Sequence, residues 1–306
     1  MYMVIGLNAA LQKTILLNHF KVNEVNRASE VKLGVGGKGQ QTAKALNNIC
    51  PGSVLLYQFL GGESGVFIHN YLSKLGISQM TVNVPEPTRT CTTLICAHTA
   101  QVTEIIEPSA TIPPLQSQQL LDLIEEKIST VKGMAICGTY PPGITQQYLL
   151  NIIQRKPSQA VLLLDGYQGV DFILKSGKVD ILKINEKELL ALSQANDITT
   201  GANHLIKTYN IQLLGVTAGP ADAHLFTAKG EHFLYKIPPL PIKNPIGAGD
   251  TVSALFLHLI CDKKLPSEAF KYALAGATAS CAGNEGGIFP IDQMHAIASQ
   301  ISVTSQ

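Results

Sequence analysis

NPIGAGDTVSALFLHLI, residues 244–260, is the stretch from which the rest of the chain can be read. Pro245, Gly247 and Gly249 make a tight turn that delivers Asp250 to the start of a nearly all-apolar helix. Without a Cβ, glycine lets the backbone fold closely and turn its N–H groups toward a bound group. The first N–H groups of a helix have no internal acceptor, and the helix dipole makes that end positive. Together these features predict an anion site with one carboxylate beside it. From Val252 to Ile260 only Ser253 and His258 interrupt the apolar run, so the helix, starting at Asp250, should be buried on most sides. Its positive end should hold Asp250 at a low pKa, ionised and ready to accept a proton. Asp is also a favoured helix cap, and capping is the alternative role on these residues alone.

Working outward, a second glycine loop lies upstream at Gly34-Val35-Gly36-Gly37-Lys38-Gly39. Thr42, Ala45, Leu46 and Ile49 follow it at the spacing of one helix face. The loop formally matches the dinucleotide fingerprint G-x-G-x-x-G, a weak signal alone. A Rossmann unit would place it after the first buried strand, with an acid some 20 residues on. Here residues 3–7 lead into Asn8-Ala9-Ala10, and the position 20 after Gly39 is Phe59. The Walker pattern fails too, because Gly39 follows Lys38. A ligand approached closely by backbone, with Lys38 adding positive charge, is the reading we favour over a plain turn before a helix.

Around these loops the chain alternates. Strands are expected at 3–7, 53–60, 134–137, 160–164, 180–184 and 212–216, with a hairpin over 223–237. Helices are expected to pass through 42–49, 68–75 and 121–131, and to span 146–154, 186–192, 267–282 and 292–301. Residues 12–32, 89–97 and 101–106 show near period-2 patterning and read as strands exposed on one face, the last two joined near Thr99-Ala100. Continuous apolar strands such as Val161-Leu162-Leu163-Leu164 suit a parallel sheet covered on both faces. Ligands of such sheets bind outside the carboxyl ends of the strands, where the two glycine loops fall.

With 306 residues, 45% hydrophobic and 15% charged, the chain can bury a large core. The formal charge is +1, from 23 basic and 22 acidic residues, whereas a sequence-independent nucleic-acid binder carries a stronger basic excess. No apolar run approaches the roughly 18 residues needed to span a bilayer, and no cationic leader precedes the first strand. The six cysteines form no C-x-x-C pair and sit mostly in apolar segments, as in a reduced, cytoplasmic protein. The eight histidines show no metal spacing.

GVGGKGQQTAKAL (34–46) and NPIGAGDTVSALF (244–256) resemble the paired signatures of the ribokinase-like, pfkB-type sugar kinases. GLNAALQKT, EVNRAS, Thr88-Arg89-Thr90, GTYPPG (138–143) and LKINEKEL (182–189) are similar to the branch holding 1-phosphofructokinases and tagatose-6-phosphate kinases. The resemblance spans the whole chain in order. It implies a ribokinase-like α/β domain over 1–306, with a mostly parallel sheet, helices on both faces, and a β-lid from about 12–33 and 89–107. It further implies a homodimer clasped through the lids.

By this resemblance Asp250 is the base that takes a proton from a sugar hydroxyl, and the N–H groups of Gly247, Ala248 and Gly249 stabilise the transferred phosphoryl group. Gly36, Gly37, Lys38, Gln12 and Gln41 line the sugar site. Arg89, Thr139 and Arg27 grip a phosphate already on the substrate, a task suited to the arginine fork. Lys183, Asn185, Thr217, Gly219, Asp222, Gly249 and Asn284 fall to the nucleotide, and Asn185 with Glu188 organises water around Mg²⁺. From the residues alone, Asn185 and Glu188 read as a helix cap and a surface acid.

The chain departs from this branch where Ala9 replaces a proline, Gln12 an aspartate, Gln41 an asparagine and Asp222 a glycine. The expected activity is ATP- and Mg²⁺-dependent phosphorylation of a sugar phosphate. Fructose 1-phosphate comes first, then tagatose 6-phosphate and fructose 6-phosphate. A nucleotide- or sugar-phosphate-binding protein without turnover is the alternative that Gln12, Gln41 and Asp222 motivate. A dinucleotide-dependent oxidoreductase rests on G-x-G-x-x-G alone.

Overall fold

The first strand, β1 (Tyr2–Ile5), is buried along its whole length. Tyr2 and Val4 enter one apolar core, while Met3 and Ile5 enter a second. A strand with apolar side chains on both faces needs helices on both sides, and that requirement sets the architecture. The computed structural model describes all residues except 100, 167–168 and 220–221. Ala100, at the expected junction of two lid strands, and Pro220 and Ala221 of the nucleotide segment lie outside the described residues.

After β1 come β2 (Ala10–Leu17), β3 (Glu30–Gly36), α1 (Lys38–Ile49), β4 (Val54–Leu60), α2 (Gly62–Lys74) and β5 (Ser78–Asn83). Next are β6 (Thr90–Cys96), β7 (Val102–Ile106), α3 (Pro114–Ile128), β8 (Gly133–Cys137), α4 (Gln146–Gln154) and β9 (Val161–Asp165). Then follow α5 (Asp171–Lys175), β10 (Ile181–Asn185), α6 (Glu186–Ser193), α7 (Ile198–Tyr209) and β11 (Leu213–Ala218). The chain finishes with β12 (Asp222–Thr227), β13 (His232–Lys236), α8 (Ala248–Cys261), α9 (Pro266–Ala282), α10 (Ile291–Ala298) and β14 (Ser302–Ser305).

Among the described residues, ten strands form one sheet in the order β14-β13-β12-β11-β10-β9-β8-β1-β4-β5. Every pair from β5 through β11 is parallel, and β12, β13 and β14 close the sheet antiparallel. Helices α1, α2, α8, α9 and α10 cover one face, and α3, α4, α5 and α7 the other. Four further strands make a small sheet ordered β3-β2-β6-β7, in which β2 pairs parallel with β6 and the outer pairs are antiparallel. The expected α/β class and small lid are thus present, with β2 starting two residues earlier than the expected lid and β3 running on to Gly36. All of β7 is exposed, and Val31, Leu33, Val102, Ile105 and Ile106 each keep about half of their surface in solvent.

Several boundaries differ for local reasons. Helix α8 begins at Ala248, not Asp250, because Gly247 takes the N-cap position with a left-handed φ of 80° that L side chains rarely adopt. The C-terminal helix stops at Ala298, and β14 follows on the sheet edge. Helix α7 has no counterpart in the expected elements. Its Thr199-Thr200-Gly201 start is poor in helix formers, but the Asp197 side chain caps it by accepting from Thr200 N at 2.9 Å. Strand β5 escapes notice as a largely polar edge strand.

Phe270 of α9 is fully buried and meets Phe256 at 5.1 Å and Tyr235 at 5.2 Å between ring centroids, both edge-on. Aromatic edges so arranged attract beyond their area alone. Phe270→Ala is expected to lower the unfolding free energy by about 3–5 kcal/mol, measured by urea denaturation. A loss below about 1 kcal/mol would show that this junction does not hold α8 and α9 to the sheet.

Candidate active site

The carboxyl ends of β8, β9 and β10 face the small sheet across a cleft of about 780 Å³. Asp250 sits at its floor in the first turn of α8. The turn before it is set by Asn244, whose Oδ1 accepts from Ile246 N at 3.0 Å, and by Thr251, whose hydroxyl donates to Gly247 O at 2.8 Å. The Ala248 N–H closes the turn onto Pro245 O at 3.3 Å. Gly247 and Gly249 are thereby left as donors without a protein acceptor among the described residues. Of the three N–H groups expected to face a ligand, that of Ala248 thus has a protein acceptor, whereas the Asp250 N–H beside them has none among the described residues. Because Gly247 is the N-cap, Asp250 is not a cap, and its carboxylate is available to the cleft.

Behind the turn lies a residue that the sequence reading passed over. Asp165, at the end of β9, is wholly buried. Lys38 Nζ donates to its Oδ1 at 2.8 Å, Lys183 Nζ lies 3.7 Å from its Oδ2, and the Ser253 hydroxyl donates to the same oxygen. Burial alone would raise this carboxyl, but Lys183, then Lys38 and Ser253, overcome it and hold Asp165 below the ordinary range. A carboxylate closing a run of leucines at a strand's carboxyl end was the available signal. The expected strand stopped one residue short of it.

Asp250 responds in the opposite sense. Burial first, then the negative charge of Asp165, pushes it up to about 7, with Lys38 and Lys183 opposing. The expected low pKa is corrected accordingly: the dipole of α8 acts on a carboxyl already facing a second, ionised one. Lys38 is held above its usual range. Burial lowers it, but Asp165, Glu188 and Asp250 together more than compensate. Its ammonium therefore turns inward onto Asp165 and Glu188 rather than outward to a free anion.

Asn185 and Glu188 form a complete capping box on α6, each side chain accepting from the other's backbone N–H at 2.9 Å. Glu188 is not a surface acid. Its side chain is 12% exposed, and its Oε1 lies 3.4 Å from Lys38 Nζ. Among the described residues no three His, Cys, Asp or Glu side chains converge to ligate an ion directly. One carboxylate edge beside the cleft fits a magnesium ion that keeps most of its waters.

Gln12 lines the cleft and donates to Thr93 Oγ1 at 2.8 Å. Thr139 lines it and accepts from Asn8 Nδ2 at 2.8 Å. Arg89 reaches it with one Nη2 contact to Asn8 O at 3.4 Å, and its buried Nε has no partner among the described residues. Gly36 and Gly37 border the cleft, and Gln41 is buried under Gly247 while donating to Val35 O. A Cβ on Gly249 would stand 2.6 Å from Lys183 Nζ and would push that ammonium aside.

Next to the cleft, sharing Asn185, Thr217 and Gly249 with it, is a largely apolar cavity of about 400 Å³. Gly219, the prolines of residues 237–242, Val252 and Leu274 line it. Three expected site residues are not brought together with the rest. Arg27 is exposed on the β2–β3 connection and does not line the cleft. Asn284 is exposed, with its carbonyl accepting from Asn244 Nδ2. Asp222 is paired across the strands with Lys236 at 2.7 Å and lines neither cavity.

Residues 5–293 match the pfkB family carbohydrate kinase profile. In three dimensions the chain is similar to a point mutant of phosphofructokinase-2 from Escherichia coli, with a TM-score of 0.87, 20% identity and 98% of each chain covered. It is similar to the same enzyme in complex with fructose-6-phosphate, with a TM-score of 0.84, 20% identity and 98% of each chain covered. Ribokinase from Thermotoga maritima gives a TM-score of 0.80 at 23% identity, with 98% of this chain and 99% of that one covered. These likenesses establish the fold.

The opposed carboxyls can be tested directly by ¹³C NMR of labelled aspartates. Asp250 should titrate near pH 7, about 7 being the value to which its surroundings raise it. Asp165→Asn should move it down toward the ordinary carboxylate range, because the like charge is gone and both lysines are freed to face Asp250. An Asp250 titration unchanged in that variant would remove Asp165 as a contributor and leave burial alone.

Proposed function

The chain belongs to the pfkB family of carbohydrate kinases, and from that premise we propose that it transfers the γ-phosphoryl group of ATP to a hydroxyl of a phosphorylated ketohexose. The observation that carries this reading is the position of the α8 N-terminus. The free N–H groups of Gly247 and Gly249 face a cleft that carries charged and amide side chains and has room for a sugar phosphate, and Gly249 also borders an apolar cavity with room for a base. A phosphoryl group held there would join the two ligands. Phosphoryl transfer needs alignment and charge stabilisation more than covalent chemistry, and oriented N–H groups supply the latter.

Asp250 takes the proton from the attacking hydroxyl. A base whose pKa lies close to the working pH combines an adequate ionised fraction with real affinity for the proton. The phosphate already on the sugar falls to the Arg89 guanidinium and the Thr139 hydroxyl, since the Lys38 ammonium is committed to Asp165 and Glu188. Asn185 and Glu188 would hold Mg²⁺ through water, and that ion would neutralise charge on the nucleotide phosphates. Fructose 1-phosphate is the first substrate, giving fructose 1,6-bisphosphate. Tagatose 6-phosphate and fructose 6-phosphate follow, the last being the ligand of one structural neighbour.

Each departure that favours a binding protein without turnover has a local partner: Thr93 for Gln12, Val35 for Gln41 and Lys236 for Asp222. None places an uncompensated charge in the cleft, which supports catalysis. The exposed apolar side chains of β3 and β7 support a homodimer formed lid to lid, because monomers rarely leave such patches uncovered. Among the described residues no helix is long and apolar enough to cross a membrane, and all six cysteines are free, which supports a cytoplasmic setting.

ADP release should be followed with Mg-ATP and a panel of fructose 1-phosphate, fructose 6-phosphate, tagatose 6-phosphate, fructose and ribose. One phosphosugar should turn over, and Asp250→Asn should lower its kcat by roughly 10²- to 10⁴-fold. Ligand binding without ADP release from any sugar would sink the kinase reading in favour of a binding protein. Analytical ultracentrifugation should give a dimer that Ile106→Lys converts to monomer, and a wild-type monomer would end the lid-to-lid assignment.

A further inference from the structure

Outside the cleft, the segment between α9 and α10 (residues 283–290) lies against the back of the anion turn. Gly286 can have no side chain, since a Cβ would stand 2.2 Å from Ile246 O. Its neighbour Asn284 accepts from Asn244 Nδ2 at 3.2 Å. Between them, Glu285 points the opposite way, toward α1 and α2. Lys44 Nζ lies 2.9 Å from its Oε1, and the Tyr71 hydroxyl donates to the same oxygen at 2.7 Å. The Lys44 side chain is only 2% exposed and its ammonium lies 5.7 Å from the Tyr71 ring centroid.

An ammonium that deep costs free energy unless an anion meets it. Burial pulls Lys44 below its usual range, and Glu285 opposes the pull. A leucine or methionine at position 44 would pack on α1 without that cost, so stability alone does not explain the lysine. The charge pins one carboxylate, and with it one segment. Gln41, Lys44 and Asn48 recur at i, i+3 and i+7 on one stripe of α1. Gln41 packs under Gly247, where a Cβ would stand 3.1 Å from its Oε1, and Asn48 donates to Phe289 O at 2.9 Å. Helix α1 therefore touches the anion turn directly through Gln41, and grips the segment behind it at Glu285 and Phe289.

We propose that Lys44, Glu285 and Tyr71 are positioning residues for phosphoryl transfer: they clamp residues 284–287 against Ile246 and so fix where the Gly247 and Gly249 N–H groups point. None of the three borders either cavity, so they act through the turn and not on a ligand. Since α1 starts directly after Gly37 of the sugar loop, the same helix sets both the acceptor side and the phosphoryl side of the reaction. This inference rests on the kinase reading for its kinetic consequence, but not for its structural one.

The test uses Glu285→Gln, Tyr71→Phe and Lys44→Met, with Lys44→Arg as the conservative variant. Steady-state kinetics are paired with hydrogen–deuterium exchange of the peptide over residues 244–251 and of β8 as a control. In Glu285→Gln, kcat should fall roughly 10- to 100-fold while both KM values move less than about 3-fold, because misaimed donors lose the transition state before they lose ground-state binding. The turn should exchange faster and β8 should not. Tyr71→Phe, which leaves the ion pair intact and folds most readily, should show the same pattern more weakly, and Lys44→Arg should restore much of what Lys44→Met loses. Retained kcat, a kcat loss with unaltered exchange at the turn, or exchange rising equally in β8 would each overturn the proposal. If the wild type transfers phosphoryl to no sugar, the kinase reading fails separately and exchange alone decides: a local rise at the turn upholds the clamp, and no rise overturns it.

Discussion

One buried carboxylate ties the site together. Asp165 has no exposure to water, so it can stay ionised only if cations and hydrogen-bond donors surround it. They come from α1 through Lys38, from β10 through Lys183 and from α8 through Ser253. Three other segments are thus required to converge at the end of β9. The small sheet is drawn in as well, because β3 passes through Gly37 straight into Lys38. The Asp165 charge also acts on its neighbour. Burial first, and then the Asp165 charge, raises the affinity of Asp250 for a proton, while Lys38 and Lys183 of the same network oppose them.

The glycine loops were legible in the sequence because their signal is local. A turn that needs Gly247 at a positive φ, followed by an apolar helix, announces itself within a dozen residues. The buried strands were equally plain, since Val161-Leu162-Leu163-Leu164 admits few other readings. Asp165 was not legible. Its meaning depends on Lys38, Lys183 and Ser253, which periodicity does not bring near it. The low pKa expected for Asp250 failed for the same reason: the helix dipole is written locally, whereas the opposing charge arrives through the fold. Helix α7 was hidden differently, its Thr-Thr-Gly start masking a cap and an apolar stripe that the tertiary packing completes.

Family resemblance names positions, whereas the fold decides what each side chain touches. Lys38 stands in the first glycine loop, yet its ammonium is engaged by the carboxylates of Asp165 and Glu188. Asn185 and Glu188 are a capping box. The box uses Oε2 of Glu188 and leaves Oε1 toward Lys38 and the cleft. The same side chain can thus start a helix and present charge, provided that the two tasks fall on different oxygens.

The departures at Gln12, Gln41 and Asp222 make the same point from the opposite direction. Read by position, each removes a group that the branch uses or adds a charge that a nucleotide would resist. Read by partner, each finds a local contact, although the buried Oε1 of Gln41 has no hydrogen-bond partner among the described residues. Gln41 is one methylene longer than the asparagine it replaces, which lets its amide reach Val35 O while its stem supports Gly247. Asp222 faces Lys236 in cross-strand register, so the extra negative charge is answered on the neighbouring strand and not by the ligand. Gln12 spends a donor on Thr93 of the adjacent strand and keeps its oxygen near Gly36, at the rim of the cleft. On the proposed reading, the altered pattern bears on which sugar hydroxyls meet that rim, where a neutral amide stands in place of a carboxylate, and none of the three residues alters Asp250 itself.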